Sequence, residues 1–222
     1  MFPIWDEEQT SKNAIYVELR RSIIMRHIRP GERFDVEALA KQYKTSVTPV
    51  RDALQMLSQD GLVNIKPRSG YFVARTTLKQ LRDLLDLRHI MELAAIERAV
   101  VKITPEQIAE LRSIHTGYTG DDDLSYDRYT DENRRFHYGL AKASGNYELM
   151  QLMGRLHDRL APFMVMRHGG RTQIATHNRI IDALEQHNIE AAREALLDDI
   201  EVSHESILDK VLQEEAETWH VG

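Results

Sequence analysis

Residues 30–73 read PGERFDVEALAKQYKTSVTPVRDALQMLSQDGLVNIKPRSGYFV, and the punctuation of this stretch decides the fold. Pro30-Gly31 stops the helix that precedes it. Asp35 suits the N-cap of a short helix carrying Leu39 and Ala40. Gln42–Thr45 reads as a turn. Ser46 then suits the N-cap of a further helix, with Pro49 tolerated in its first turn. Val50, Ala53, Leu54 and Leu57 fall at i, i+3, i+4 and i+7, the spacing of one buried face, and Asp60-Gly61 ends that helix. LVNIK and GYFVAR read as two short strands around Pro67-Arg68-Ser69. Two helices joined by a tight turn and followed by a basic hairpin make a winged helix-turn-helix, which lays one helix in a DNA groove.

Upstream, residues 11–28 have helical period, with Ile15, Leu19 and Ile23 on one face. The expected contact surface follows from the pattern. Thr45, Ser46 and Thr48 stand at a helix N-terminus, where free N–H groups and the dipole favour a phosphate oxygen. Arg51 lies opposite the apolar stripe and suits a bidentate contact to guanine, or a phosphate clamp. Lys66 and Arg68 at the wing suit backbone or minor-groove contact, with Gly70 freeing the turn. The competing readings are a winged helix used for protein contact and a small unrelated bundle.

Charge supports the DNA reading. Residues 1–75 carry 12 Lys/Arg against 9 Asp/Glu, whereas residues 76–222 carry 17 against 26. A basic head on an acidic body is the pattern of nucleic-acid binding through one domain. The composition, 42% hydrophobic and 29% charged, is that of an ordinary globular protein. The absence of cysteine excludes disulfide scaffolding, thiolate metal sites and thiol redox sensing, and suits a reducing cytoplasm. MFPIWDEEQT lacks a signal-peptide pattern, and no apolar run is long enough to cross a bilayer.

Beyond the hairpin the sequence predicts helices only, at about 78–101, 105–117, 125–144, 146–168, 172–187 and 189–214. Breaks fall at Thr104-Pro105, Gly117–Asp123, Gly145-Asn146, Gly169-Gly170 and near His187-Asn188. The expected fold is mainly α: a winged helix-turn-helix domain over 1–76 and an all-helical bundle over 77–222.

Within that bundle, polar residues interrupt stripes that should be apolar. The stripe Leu81, Leu85, Arg88, Glu92, Ala95, Ala99 holds an i, i+4 charge pair. Asn133 and His137 lie one turn apart on the stripe Tyr129, Asn133, Phe136, His137, Leu140. His177 falls on Ile174, His177, Ile181, Leu184, and Asp199 flanks Ala192, Leu196, Ile200, Ser203. Polar groups facing a bundle interior need partners, and a metal ion or bound anion satisfies several at once. Each also has a plain reading: a hydrogen-bonded core histidine, an exposed ion pair at Arg88 and Glu92, a solvent-facing Asp199.

These motifs carry a resemblance. Pro30-Gly31, Leu39-Ala40, Ser46-Val47-Thr48-Pro49-Val50-Arg51-Asp52-Ala53-Leu54, Gly61-Leu62 and Gly70–Val73 resemble the N-terminal domain of GntR-type bacterial transcriptional regulators. Val47 departs from that pattern, which has an arginine there; a valine offers no hydrogen bond but suits a thymine methyl. The body resembles the helical FCD-type effector domain of the FadR-like branch, through Arg88-x-x-x-Glu92, Asn133-x-x-Phe136-His137, Ala143-Ser144-Gly145-Asn146 and His177-x-x-Ile180-x-x-Ala183.

That branch senses small organic acids, often with a divalent metal. Its ligand set maps onto Asn133, His137, His177 and Asp199, with Asn133 standing for an aspartate and Asp199 for a histidine. Two imidazoles, a carboxylate and an amide carbonyl suit Zn²⁺, Ni²⁺ or Mn²⁺, the neutral amide weakening the set. His204 is a second candidate for the position of Asp199. Arg88, with Glu92, His137 and His177, would then hold the effector, the guanidinium acting as a carboxylate fork.

The resemblance thus implies a homodimeric, non-enzymatic, cytoplasmic DNA-binding regulator on a palindromic double-stranded operator, most often a repressor relieved by ligand. Two rivals stand beside it. One is a DNA-binding dimer with a vestigial pocket. The other is a metal-dependent enzyme with a DNA-targeting head.

Overall fold

The computed structural model describes residues 11–115, 119–167 and 170–218. Gly117 and Gly169, and the C-terminal ends expected for the helices over 105–117 and 146–168, lie outside these residues. The fold is mainly α, and the chain divides into two compact units at Thr77/Leu78.

The first unit holds α1 (Ser11–Ile24), α2 (Val36–Gln42), α3 (Val47–Gln59), β1 (Val63–Lys66) and β2 (Gly70–Val73). Ile15, Leu19 and Ile23 of α1 pack on Val50, Ala53, Leu54 and Leu57 of α3, the last four fully buried. The first helix stops earlier than expected. Arg26 has φ 60°, so the chain leaves the helix well before Pro30-Gly31.

The Asp35 side chain caps α2, accepting from Ala38 N at 2.9 Å. The tight turn is a Schellman motif: Lys44 takes the left-handed position (φ 51°), Thr45 N donates to Ala40 O at 3.0 Å, and Lys44 N to Lys41 O at 3.2 Å. The end of α3 repeats the device, with Gly61 (φ 78°) in that position and Leu62 N donating to Leu57 O at 2.9 Å.

β1 and β2 pair antiparallel, from Val63 opposite Val73 to Lys66 opposite Gly70. Their turn places Pro67 before Arg68 at φ 62°, and Ser69 N donates to Lys66 O at 3.0 Å. The sequence did not announce a further pairing along β2. Gly31 N donates to Val73 O, Phe34 N to Tyr71 O and Val73 N to Glu32 O, each at 2.9 Å.

The second unit is all helical among its described residues: α4 (Leu78–Lys102), α5 (Pro105–Ile114), α6 (Asp123–Ala143), α7 (Tyr147–Met164), a 3-10 turn (Val165–Arg167), α8 (Gly170–Glu185) and α9 (Ile189–Thr218). Local signals fix several ends. Thr104 and Gln107 form a capping box with Pro105 in the first turn of α5. Asp122 and Asn146 cap α6 and α7 through Ser125 N and Leu149 N.

The bundle has two apolar cores. One joins α4, α5, α6, α8 and α9 through Ile96, Leu111, Phe136, Ile181 and Leu196. The other joins α4, α6, α7 and α9 through Leu81, Leu85, Ala141, Met153, Leu160 and Ile207. Along α4, Arg88 and Glu92 fall in the stretch where one core gives way to the other, and this is where the polar stripe residues converge.

Candidate functional site

The first unit presents a cationic cleft of about 520 Å³ between the start of α2, helix α3 and the hairpin. Arg51, Arg68 and Gly70, all expected at the contact surface, line it together with Arg33, Asp35 and Tyr71. Ser46 and Thr48 are exposed, and Thr45 is half-buried. Ser46 occupies the N-cap position of α3 without a side-chain capping bond, so its role is set by backbone geometry alone. Lys66 is exposed, with its Nζ 4.7 Å from the centre of the Phe72 ring. Val47 is half-buried, packed in part against the unit's core.

In the second unit, Arg88, Glu92, Asn133, His137, His177 and Asp199 are all at most 2% exposed. The exposed readings of Arg88, Glu92 and Asp199 are therefore wrong; burial on the stripes is what the structure adopts. His204 is only half-buried, while Asp199 is enclosed.

The Arg88 guanidinium is the hub. Its Nε donates to Glu92 Oε1 at 2.7 Å, Nη1 to Ser203 Oγ at 2.6 Å and Nη2 to Asp199 Oδ2 at 3.0 Å. Nη2 also lies 3.2 Å from His137 Nε2. Its donors meet the chain's own acceptors, because two carboxylates share its enclosure.

Electrostatics follow from that enclosure. Burial disfavours the charged form of Arg88, but the paired Glu92 and Asp199 outweigh it and raise its pKa. Burial opposes ionisation of Glu92 too, yet Arg88, His137 and His157 hold it well below the usual carboxylate range. His157 Nε2 lies 2.8 Å from Glu92 Oε1. Burial lowers the His157 pKa to about 4 despite that bond, and drives that of His177 well below the ordinary imidazole value.

The donor atoms suit a cation. One donor atom each from His137, His177 and Asp199 lie within 4.8 Å of one another, as do those of Glu92, His137 and His157. His177 Nε2 and Asn133 Oδ1 are buried without a hydrogen-bond partner. Such an orphan costs about 1–3 kcal/mol when nothing satisfies it.

The family model of the FCD domain matches residues 83–202, and that of the bacterial regulatory proteins of the gntR family matches residues 11–73. The chain belongs to the GntR family and carries an FCD domain. It is similar to an HTH-type transcriptional regulator from an unstable DNA locus of Streptomyces ambofaciens, at 28% identity over 85% of this chain and 81% of that one. It is 24% identical to the HTH-type transcriptional repressor RspR of Escherichia coli, over 95% and 94% of the two chains. The solved structure of E. coli McbR/YncC shares the fold, with a TM-score of 0.73 at 23% identity over 92% of this chain and 99% of that one. This GntR-family protein is thus a DNA-binding transcriptional regulator, from a family whose members regulate rather than catalyse and generally act as dimers. No helix among its described residues is long and apolar enough to cross a membrane.

The FCD site contains more than the sequence reading assembled. Ser203 and Thr176 hold Arg88 and Asp199, the latter through Thr176 Oγ1 donating to Asp199 Oδ1 at 2.8 Å. His157 joins from α7, stacked on His137 with centroids 4.7 Å apart. His115 reaches His177 from the end of α5, with Nε2 2.8 Å from His177 Nδ1. His157 sits on a buried helical face, a signal that was legible. His115 sits where the sequence suggests more helix, and nothing local marks it.

Proposed function

We propose that this regulator senses a small carboxylate in the buried cluster of its FCD domain with the help of a divalent metal, and that ligand changes its hold on a palindromic operator. The orphaned donor atoms of His177 and Asn133 carry the reading. Both belong to the four residues that the family resemblance puts around a metal, together with His137 and Asp199. Zn²⁺, Ni²⁺ or Mn²⁺ suits this mixture of imidazole and oxygen donors. A bound metal would supply a Lewis-acid centre for carboxylate or hydroxyl oxygens of the effector.

Arg88 takes part as the fixed cation of the cluster, with Glu92 as its partner. In the first unit, the N-terminal turn of α3 (Thr45 to Thr48) and Arg51 would approach the major groove. Lys66, Arg68 and Gly70 of the wing would approach the backbone. A homodimer would present two such heads to the two half-sites, and release of repression by ligand is the sign favoured by the likeness to a repressor. To switch occupancy, the effector must bind the two states with different affinity.

Native mass spectrometry of the full chain tests this, on protein loaded with Zn²⁺ and screened with small carboxylates. Stoichiometric metal that disappears in the His137→Ala/His177→Ala variant supports the site. Metal retained by that variant places the site elsewhere. Neither metal uptake nor a thermal shift with any carboxylate supports a vestigial pocket instead.

A further inference from the structure

Arg33 belongs to neither α3 nor the hairpin, the two elements expected to touch DNA, yet the fold brings it to both. It stands between Pro30-Gly31 and the Asp35 cap, in the segment that pairs along β2, with Arg33 itself opposite Phe72. Backbone alternation sets its direction. Phe34, one residue on, is turned into the core, so Arg33 is turned the other way and is exposed. Residues opposite one another in a sheet share a face, which puts Arg33 on the face of Phe72, Gly70 and Lys66. The contacts agree. The Arg33 guanidinium lies over Gly70, where a Cβ would stand 3.5 Å from its Nε and 3.8 Å from its Nη2.

Arg33 therefore lines the cleft of α3 and the hairpin beside Arg51 and Arg68. Asp35 and Glu37 line it too, but the Asp35 carboxylate is engaged by Ala38 N. Among the described residues, none of the three guanidiniums makes a hydrogen bond or an ion pair. Arg88, Arg112, Arg134 and Arg179 of the second unit differ, each being paired with an acid there. Three unpaired like charges around one cleft repel one another, and a polyanion relieves that repulsion.

We propose that Arg33 is a further DNA-contacting residue, one that takes a backbone phosphate beside the wing. The inference rests on the reading of α3 and the wing as the DNA surface, and adds to it a residue from outside both. A phosphate, not a base edge, is what the position fits. Arg68 stands at the hairpin turn, where it can enter a groove, and Arg51 on the helix that reads one. Arg33 is set back from that turn by its pairing with β2, on a sheet face, at the rim where phosphates lie. Its backbone is already fixed by the bonds from Phe34 N to Tyr71 O and from Val73 N to Glu32 O, so binding has less to order.

The test follows binding of the full chain to two duplexes of equal length by fluorescence anisotropy over a salt series. One duplex is enriched from a random pool by the wild type, and the other is an unrelated sequence. Arg33→Gln should weaken binding to both by the same factor, and make log affinity against log salt shallower by about 0.9. The wild-type advantage should accordingly shrink by roughly 3- to 4-fold between about 50 and 200 mM salt. Arg33→Lys, which keeps the charge, should keep the wild-type slope. Circular dichroism checks that each variant folds, and Arg51→Ala serves as the control for the surface as a whole. Unchanged affinity and slope in Arg33→Gln, with binding weakened in Arg51→Ala, would overturn the inference and leave the surface standing. A loss confined to the enriched duplex would also overturn it, because Arg33 would then read a base. If neither substitution changes binding, the reading of the surface falls and the inference falls with it.

Discussion

Acid should loosen the FCD domain through its buried histidines before its carboxylates titrate. His157 is held neutral in the folded chain, with a pKa of about 4 against 6.5 for an exposed imidazole. Between those values the unfolded chain binds a proton that the folded chain refuses, so stability falls as pH falls. At about pH 5 the depression of His157 alone removes on the order of 2 kcal/mol relative to about pH 7.5. His177, also lowered by burial, acts in the same direction. Glu92 does not contribute in this window. Its folded pKa is depressed, so its stabilisation is present above the ordinary carboxylate range and is lost only as pH falls below it. Urea unfolding followed by far-UV circular dichroism, with EDTA present, measures the effect. In His157→Gln the drop between the two pH values should shrink by about 2 kcal/mol. A wild type whose stability is flat over that range, or a variant with the same drop as wild type, would refute the assignment of His157 as a buried neutral partner of Glu92.

Two further outcomes are expected. Arg88→Met leaves Glu92 and Asp199 buried without their shared cation and should destabilise the chain by about 3–5 kcal/mol, read in urea titrations; a loss below about 1 kcal/mol would mean the cluster reorganises freely. Arg51→Ala should cost about 1–3 kcal/mol of operator binding at fixed salt in a gel-shift titration, with the helical content unchanged, and unaltered affinity would remove Arg51 from the contact surface.

How much of this was legible follows from the reach of each signal. The stripes on α3, α4 and α6 placed Val50, Ala53, Leu54, Leu57, Arg88, Glu92, Asn133 and His137 on buried faces, because helical periodicity encodes which side of a helix is buried; Asp199 only flanks the stripe on α9. Asp35 and the Thr104-Pro105 boundary were legible as caps. Two things were not. Arg26 takes a left-handed conformation that its residue type does not advertise, so α1 ends at Ile24, short of the helix expected over 11–28. His115 lies just beyond the last residue of α5, Ile114, and its neighbours 62 and 17 residues away are set by tertiary packing alone. A periodicity argument has no purchase on such a residue.

The two departures from the family's ligand pattern are better understood as one exchange. The carboxylate implied on α6 is an amide at Asn133, and the imidazole implied on α9 is a carboxylate at Asp199. The ligand set keeps its single negative charge, but that charge now lies 3.0 Å from Arg88 Nη2. An imidazole at the same position would leave Arg88 only its ion pair with Glu92, so the exchange holds the guanidinium more firmly inside the chain. It also fixes the charge count. Among the side chains that pair with the guanidinium, Arg88 against Glu92 and Asp199 leaves one excess negative charge. In the proposed reading a divalent cation turns that excess into one positive charge, and a single carboxylate brings the buried cluster to neutrality. A dicarboxylate bound wholly inside would leave a negative charge with no partner, which a low-dielectric interior penalises heavily. Under the proposed function, charge alone favours as effector a monocarboxylate whose remaining oxygens are neutral.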